Sequence, residues 1–293
     1  MKIAINTPNG NIGRALANHL IDAGQELVLL TRSPDKTKPL AQRGAIVHEG
    51  TLDDETFVLR ATKGVDTLFW LMPGNYAAAD FRGEQTKMGR IGTRVVIENK
   101  IPRIMTLSSA GAQLSEGTGP ILGLHDFEKK IDATAAQITH LRPNYFMENF
   151  LQSLPTIASD GMIYLPVPGS TTFPMIATVD IANAAADRIL EENWEKHTVI
   201  ELAGPEHVSQ DTAAATIGTV LGRDVKHMQI GEADFRGAMA EFGVSDSAAN
   251  CFLEMYDGFA KGTIVHETSP RTTATTFETF ASNVIKPALT AVS

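Results

Sequence analysis

Cysteine is almost missing from this chain. Cys251 is the only one in 293 residues, so no internal disulfide can form, and the composition suits a compartment that keeps thiols reduced. The expected role of Cys251 is that of an inert, buried thiol. No apolar stretch of roughly 18 residues occurs, which argues against a membrane span. The opening MKIAINTPNG lacks the apolar core of about 7 to 15 residues that a secretory signal carries. A cytoplasmic location is therefore expected. Positive charge is also short: 25 Lys and Arg stand against 34 Asp and Glu, for a net charge of −9. With no basic run interleaved with aromatics, the electrostatic footprint of a nucleic-acid binder is absent. No Gly-x-Ser-x-Gly elbow and no His, Cys, Asp or Glu group at metal-ligand spacing can be found, so neither hydrolase nor metal chemistry is expected.

What is present is a regular alternation. From residue 2 to about 143, short apolar runs alternate with helical patterns, the signature of βαβ units and a parallel sheet. Strands are expected at Lys2–Asn6, Glu26–Thr31, Ala45–Glu49, Thr67–Met72, Arg103–Ser108 and Thr139–Arg142. Between the first two, Ile12, Ala15, Leu16, His19 and Leu20 recur at helical spacing and Gly24 follows, predicting a helix Asn11–Asp22 with a glycine C-cap. His19 is expected to pack in the core. Ser33-Pro34 reads as an N-cap followed by proline at the first helical position.

After residue 150, Leu165-Pro166-Val167-Pro168-Gly169 and Thr172-Phe173-Pro174 break the rhythm. A helix is expected at Val179–Glu191, a strand at Thr198–Leu202, and helices at Ser209–Leu221, Glu232–Phe242 and Ser245–Ala260. The fold class that follows is α/β: a Rossmann-type, doubly wound parallel sheet with a smaller C-terminal α+β lobe. Residues 1–150 would form the dinucleotide-binding domain. Residues 151–293 would mainly form the substrate lobe, with some segments returning to the first domain.

The first strand runs directly into Thr7-Pro8-Asn9-Gly10-Asn11-Ile12-Gly13 and a helix. This places a glycine pair where backbone must approach a pyrophosphate at a helix N-terminus. The first glycine of the usual fingerprint is Thr7 here. The second strand ends Leu30-Thr31-Arg32-Ser33 with no carboxylate before Asp35. An Arg at that place suits a 2′-phosphate, so NADP(H) is favoured, with NAD(H) the alternative. Gly50-Thr51-Leu52-Asp53 would flank the adenine, and Trp70-Leu71-Met72-Pro73 ends the fourth strand at the same crevice.

At the end of the fifth strand, Ser108-Ser109-Ala110-Gly111 would bring hydroxyls near a nicotinamide and a substrate carbonyl; a plain turn cap reads equally well. The usual proton donor of short-chain dehydrogenases, a Tyr with Lys four residues later, is missing. The four tyrosines lead instead to Asp80, Asn149, Pro168 and Ala260. In that stretch stand His125 and Lys129, one helical turn apart, as candidate acid and ribose-holding residue. Without a protein acid, the acceptor must take hydride at carbon or nitrogen and its proton from water, as quinones and cationic dyes do.

Asn9-Gly10-Asn11-Ile12-Gly13, Thr31-Arg32-Ser33-Pro34, Ser108-Ser109-Ala110-Gly111, the run from Leu141 to Asn149 and Val179-Asp180-Ile181-Ala182 together resemble the NmrA-like family of atypical short-chain dehydrogenases. Leu202-Ala203-Gly204-Pro205, Leu221-Gly222-Arg223 and the stretch from Thr275 to Phe280 extend the resemblance over nearly the whole chain. It implies NADP(H) or NAD(H) in a cleft between two lobes, with Asn144, Tyr145 and Phe146 near the nicotinamide. It further implies one of two activities, reduction of quinones or triphenylmethane dyes, or dinucleotide sensing without turnover. The family's Lys or His followed four residues later by Glu falls on Leu124 and Glu128 in one register, with His125 displaced by one. The expected reaction is hydride transfer from NADPH to a quinone-like or conjugated aromatic acceptor, with Tyr145, Met162, Tyr164 and Phe173 suggesting an apolar pocket. A redox sensor is the second reading, and an epimerase with tightly bound NAD is a weaker third. A homodimer is left open.

Overall fold

Strands buried on both faces read as unbroken apolar runs, and that is how the main sheet of this chain is written. In the computed structural model, which describes residues 1–292, the strands are β1 (Lys2–Ile5), β2 (Glu26–Thr31), β3 (Ile46–Glu49), β4 (Thr67–Leu71), β5 (Arg103–Leu107), β6 (Gln137–Pro143), β7 (Met162–Leu165), β8 (Thr172–Phe173), β9 (His197–Ala203), β10 (Val208–Ser209), β11 (Lys226–Gln229) and β12 (Arg271–Thr272). Eight of them form one sheet in the order β12-β9-β6-β5-β4-β1-β2-β3, every neighbouring pair parallel. The order reverses between β1 and β4, which opens a crevice at the carboxyl ends of those two strands.

The helices are α1 (Asn11–Asp22), α2 (Lys38–Gln42), α3 (Glu55–Ala61), α4 (Phe81–Glu98), α5 (Ile121–Asp132), α6 (Leu154–Asp160), α7 (Thr178–Leu190), α8 (Gln210–Leu221), α9 (Glu232–Glu241), α10 (Asp246–Ala260), α11 (Phe277–Phe280) and α12 (Lys286–Val292). Alternate strand residues feed two cores. Ile3, Ile5, Leu27, Leu29 and Phe69 pack under α1 and α7, whereas Ala4, Val28, Leu30, Leu68 and Trp70 pack under α3, α4 and α5. A third core lies in the C-terminal lobe, where Tyr145, Phe150, Phe173, Phe277 and Phe280 meet. The lobe also holds two small strand pairs, β7 with β11 and β8 with β10. Two later segments return to the sheet: β9 pairs with β6, and β12 pairs with β9.

β6 is longer than its sequence reading because both ends pair with β9, Ile138 with His197 and Pro143 with Leu202. Gly24 has φ +73°, as a glycine after the end of α1 should. Two local readings are corrected. Ser33 does not cap a helix with its side chain; a short 3₁₀ turn, Pro34–Thr37, precedes α2, and the Ser33 backbone N–H is taken up by the Thr31 hydroxyl at 3.0 Å. His19 is half-buried rather than in the core, with Nδ1 at 3.4 Å from Asn183 Oδ1 on α7. Cys251 is likewise half-buried, and burial pushes its thiol pKa up. Among the described residues no helix is long and apolar enough to cross a membrane.

Candidate functional site

The crevice between β1 and β4 is a cleft of about 640 Å³, lined on one side by Asn6, Thr7, Pro8, Asn9, Gly10 and Gly13. Thr31, Arg32, Ser33 and Lys36 form its second side; Gly50 to Asp53 and Leu71, Pro73, Gly74 and Asn75 complete it. Asn6 ties the two carboxyl ends together: its amide nitrogen donates to Leu71 O at 2.7 Å and its oxygen accepts from Leu71 N at 3.0 Å. The turn after β1 closes with Gly10 N–H donating to Thr7 O at 3.2 Å. Lys100 is the only non-glycine residue with positive φ among those described. Thr7 can therefore replace the usual first glycine without backbone strain.

Gly13 cannot be replaced so easily. A Cβ there would lie 2.1 Å from Thr7 O and 2.8 Å from Thr7 C, so the helix sits against the turn at a distance only glycine permits. Gly10 is exposed at the N-cap of α1, a helix of 12 residues whose first N–H groups have no partner within the helix, and Gly10 and Gly13 both line the cleft. Buried beside it, Thr7 Oγ1 and Asn9 Oδ1 have no hydrogen-bond partner. A close turn, a helix N-terminus and two unsatisfied polar atoms suit the pyrophosphate of a dinucleotide.

The second side of the cleft carries its charge. The Asn9 amide donates to Thr31 Oγ1 at 2.7 Å and to Ser33 O at 3.3 Å, locking the turn to the end of β2. That bond fixes the backbone on either side of Arg32. Neither Arg32 nor Lys36 has an acidic partner among the described residues, since the nearby Asp35 pairs with Lys38 at 2.7 Å. Across the cleft, Asp53 accepts from the Thr51 hydroxyl and lies 3.7 Å from Lys87, and these contacts hold its pKa below the ordinary value against a smaller effect of burial. Lys36 was not singled out in the sequence. A cation three residues after Thr31-Arg32-Ser33 is the signal that could have found it.

Other expected residues lie elsewhere. Ile12, on α1, packs its side chain into the core; Asn11, the first residue of α1, is exposed beside the N-cap; Met72 packs at the edge of the α4 side. Asn144 and Tyr145 do not line the crevice. The Asn144 side chain accepts from Tyr145 N at 2.8 Å, and the Tyr145 ring is enclosed by Phe150, Phe173 and Phe259, with centroids 6.3, 4.6 and 6.2 Å away. Burial pushes its phenol pKa far up. Phe146 forms a bridge with Ile176. Tyr145, Met162, Tyr164 and Phe173 therefore do not make one acceptor pocket: the first and last fill the lobe core, and Tyr164 donates to Asp160 at 2.9 Å on an exposed edge.

His125 and Lys129 do not share an environment. His125 is buried with Nδ1 2.7 Å from Ala112 O, whereas Lys129 is exposed. Ser108 is buried with an unsatisfied hydroxyl, while Ser109 donates to Ala110 O at 3.0 Å. Glu128 is buried as well, and receives two bonds from Arg142, 3.1 Å from Nε and 2.6 Å from Nη2. Burial alone would lower the Arg142 pKa, but Glu128 and Glu267 outweigh it and raise it. Glu148, in the same motif, accepts from Thr178 N with both oxygens at 3.0 Å and so satisfies the start of α7. Burial raises the Glu148 pKa despite those donors. The run from Leu141 to Asn149 is thus explained by the joints it makes between strand, helix and lobe.

The sequence model of the NmrA-like family matches residues 1–281. Quinone oxidoreductase 2 of Escherichia coli K12 is 26% identical over 266 residues, covering 89% of this chain and 88% of that one. An NAD(P)H azoreductase of Xenophilus azovorans is 24% identical over 276 residues, 93% of each. Among solved structures, an E. coli NADPH-dependent quinone oxidoreductase complexed with NADPH superposes with a TM-score of 0.81 at 24% identity, covering 97% of this chain and 99% of that one.

Proposed function

Starting from a chain that belongs to the NmrA-like family, we propose that it is an NADPH-dependent reductase passing hydride to a quinone-like or other conjugated aromatic acceptor. The observation that carries the cofactor choice is the pair of cations Arg32 and Lys36 just after β2, which line the cleft and have no acidic partner among the described residues. A guanidinium there pairs with a 2′-phosphate and repels nothing. Thr7, Asn9, Gly10 and Gly13 would receive the pyrophosphate, with Asn11 and Ile12 opening the helix whose N-terminus faces it, and Leu71 and Pro73 border the continuing path along the cleft. When bound, the reduced nicotinamide supplies the hydride.

The acceptor class follows from the missing acid. His125 Nδ1 faces a carbonyl oxygen, which can only accept, so that nitrogen keeps its hydrogen and neutral His125 has none on Nε2. Such a residue gives up a proton only from its doubly protonated form. Lys129 and Ser108, expected beside it, offer no better acid: the first is exposed, and the second is a hydroxyl with no base partner. An acceptor that takes hydride directly and its proton from water avoids the need. The named activities of the E. coli and X. azovorans relatives support the same class. The reading includes a cytoplasmic location and a small-molecule acceptor, with residues beyond 150 forming most of the acceptor side.

The test is NADPH oxidation by purified protein against quinones, a triphenylmethane dye and simple aldehydes, with NADPH binding measured in parallel. Turnover of quinones or dye but not aldehydes is expected; tight binding with no turnover would replace the reductase with a sensor. Arg32→Ala should weaken NADPH by about 10- to 100-fold and NADH by far less, since a hydrogen bond to a charged group contributes about 1.5–3 kcal/mol. Equal losses for both cofactors would refute the 2′-phosphate assignment. His125→Ala should leave quinone reduction largely intact, and a collapse in kcat with unchanged NADPH affinity would restore it as the acid.

A further inference from the structure

Far from the cleft, a pair of residues eight apart in sequence meets a third, remote one at the opposite end of the sheet. Asp132 is the last residue of α5, His140 lies in the middle of β6, and His197 opens β9. Asp132 Oδ1 is 2.9 Å from His140 Nε2 and 3.1 Å from His197 Nε2, and the ligand atoms of all three lie within 4.8 Å of one another. The two imidazoles meet edge to face with centroids 5.3 Å apart. No spacing in the sequence brings out this trio, because it depends on β9 returning to pair with β6.

We propose that Asp132, His140 and His197 form a binding site for a divalent transition ion of the zinc type. Two imidazoles and one carboxylate are a donor set that zinc accepts, with water completing the sphere. Metal–ligand bonds of about 2.0–2.1 Å in a tetrahedron put ligand atoms about 3.3 Å apart. The two separations from Asp132 need to open by only a few tenths of an ångström, the two imidazole nitrogens already lie within 4.8 Å of each other, and Asp132 and His197, both solvent-exposed, are free to adjust. His140 is fully buried and already oriented: its Nδ1 is 2.6 Å from the hydroxyl of the buried Thr106, which fixes Nε2 as the nitrogen facing the site. Metal-bound histidines are held in this way by a partner on their other nitrogen.

The local field also favours a cation. The end of α5 presents the negative pole of its dipole. The positive charge of Arg142 is already matched by Glu128 and Glu267. A bound ion would pin α5 to β6 and β9, at the amino end of β9 and away from the carboxyl edge where the cofactor cleft opens.

Untagged protein freed of metal by EDTA is titrated with Zn²⁺ by calorimetry and with Co²⁺ by visible absorption. One equivalent should bind, Co²⁺ should give the intense bands of a low-coordinate site, and Zn²⁺ should raise the thermal midpoint. His197→Ala, at an exposed position, should weaken Zn²⁺ by more than about 100-fold, and Thr106→Val should weaken it by about 10- to 100-fold, the range for a supporting partner. The metal-free midpoint of His197→Ala should match that of the parent. No uptake, or uptake unchanged in His197→Ala, would overturn the site and leave the trio as a hydrogen-bonded charge cluster.

Discussion

Glu128→Ala is expected to lower the unfolding free energy by about 3–5 kcal/mol, the loss seen when one member of a buried ion pair is removed. The Glu128 and Arg142 side chains are only 6% and 8% exposed, and the pair is bidentate. Without Glu128, the guanidinium would keep only Glu267 at 3.2 Å, whose side chain is 60% exposed. Water cannot reach the abandoned donors without opening the packing between α5 and β6. Glu267→Ala, by contrast, should cost less than about 1 kcal/mol, because an exposed carboxylate is well solvated when it leaves. Urea denaturation distinguishes the two: the midpoint for Glu128→Ala should fall with little change in slope. Equal effects from both variants would mean that the buried pair does not hold the joint. Replacing both Glu128 and Arg142 with apolar residues of similar size should recover much of the loss.

Gly13→Ala should abolish detectable NADPH binding and destabilise the fold by about 1–3 kcal/mol, as an overpacked contact does. The added carbon meets backbone, Thr7 O at 2.1 Å and Thr7 C at 2.8 Å, and no flexible side chain can swing aside to admit it. Either α1 backs away from the turn or the turn moves. Because Asn9 is bonded to Thr31 Oγ1 and Ser33 O, a moving turn takes the end of β2 with it and misplaces Arg32. The proposed contacts to the pyrophosphate and the 2′-phosphate should therefore be lost together. Gly24→Ala is the matched control: its φ of +73° predicts a stability loss, but it lies at the far end of α1, so NADPH affinity should be unchanged. If Gly13→Ala binds NADPH normally, the close approach of helix and turn is not what makes the cleft.

The cleft at the carboxyl ends of β1 and β4 was readable because the pattern that builds it is local. Strand, turn, helix and the end of the next strand occupy residues 2 to 36, and each residue type there answers a short-range demand. The same local grammar identified Gly50 to Asp53, Leu71 and Pro73, which do line the cleft. Tyr145 went the other way for a physical reason: an aromatic flanked by Asn and Phe gives no sign of which lobe will enclose it. Its partners Phe173 and Phe259 come from segments 28 and 114 residues later. His125 and Lys129 share a helical face by spacing alone, yet burial divides them, because the loop carrying Ala112 covers one and not the other. Arg142, Glu128 and Glu148 were visible as a motif but not as joints. Their partners are set by tertiary contact, as are those of Asp132, His140 and His197.

The path of the chain also bears on how the protein is made. When a ribosome has delivered the first 150 residues, the sheet has its strands from β3 to β6, but α1 lacks the helix that covers it, since α7 begins at Thr178. The outer edge of β6 is bare until His197–Ala203 arrives, and that strand waits in turn for Arg271 and Thr272. Glu201 then receives the backbone N–H groups of Glu267 and Thr268 at 2.8 and 2.6 Å, tying one of the last segments onto the sheet. An N-terminal fragment cut near residue 150 would carry the turn after β1 on an unfinished and sticky scaffold. Nascent chains should accordingly remain open to chaperones and proteases until synthesis is nearly done.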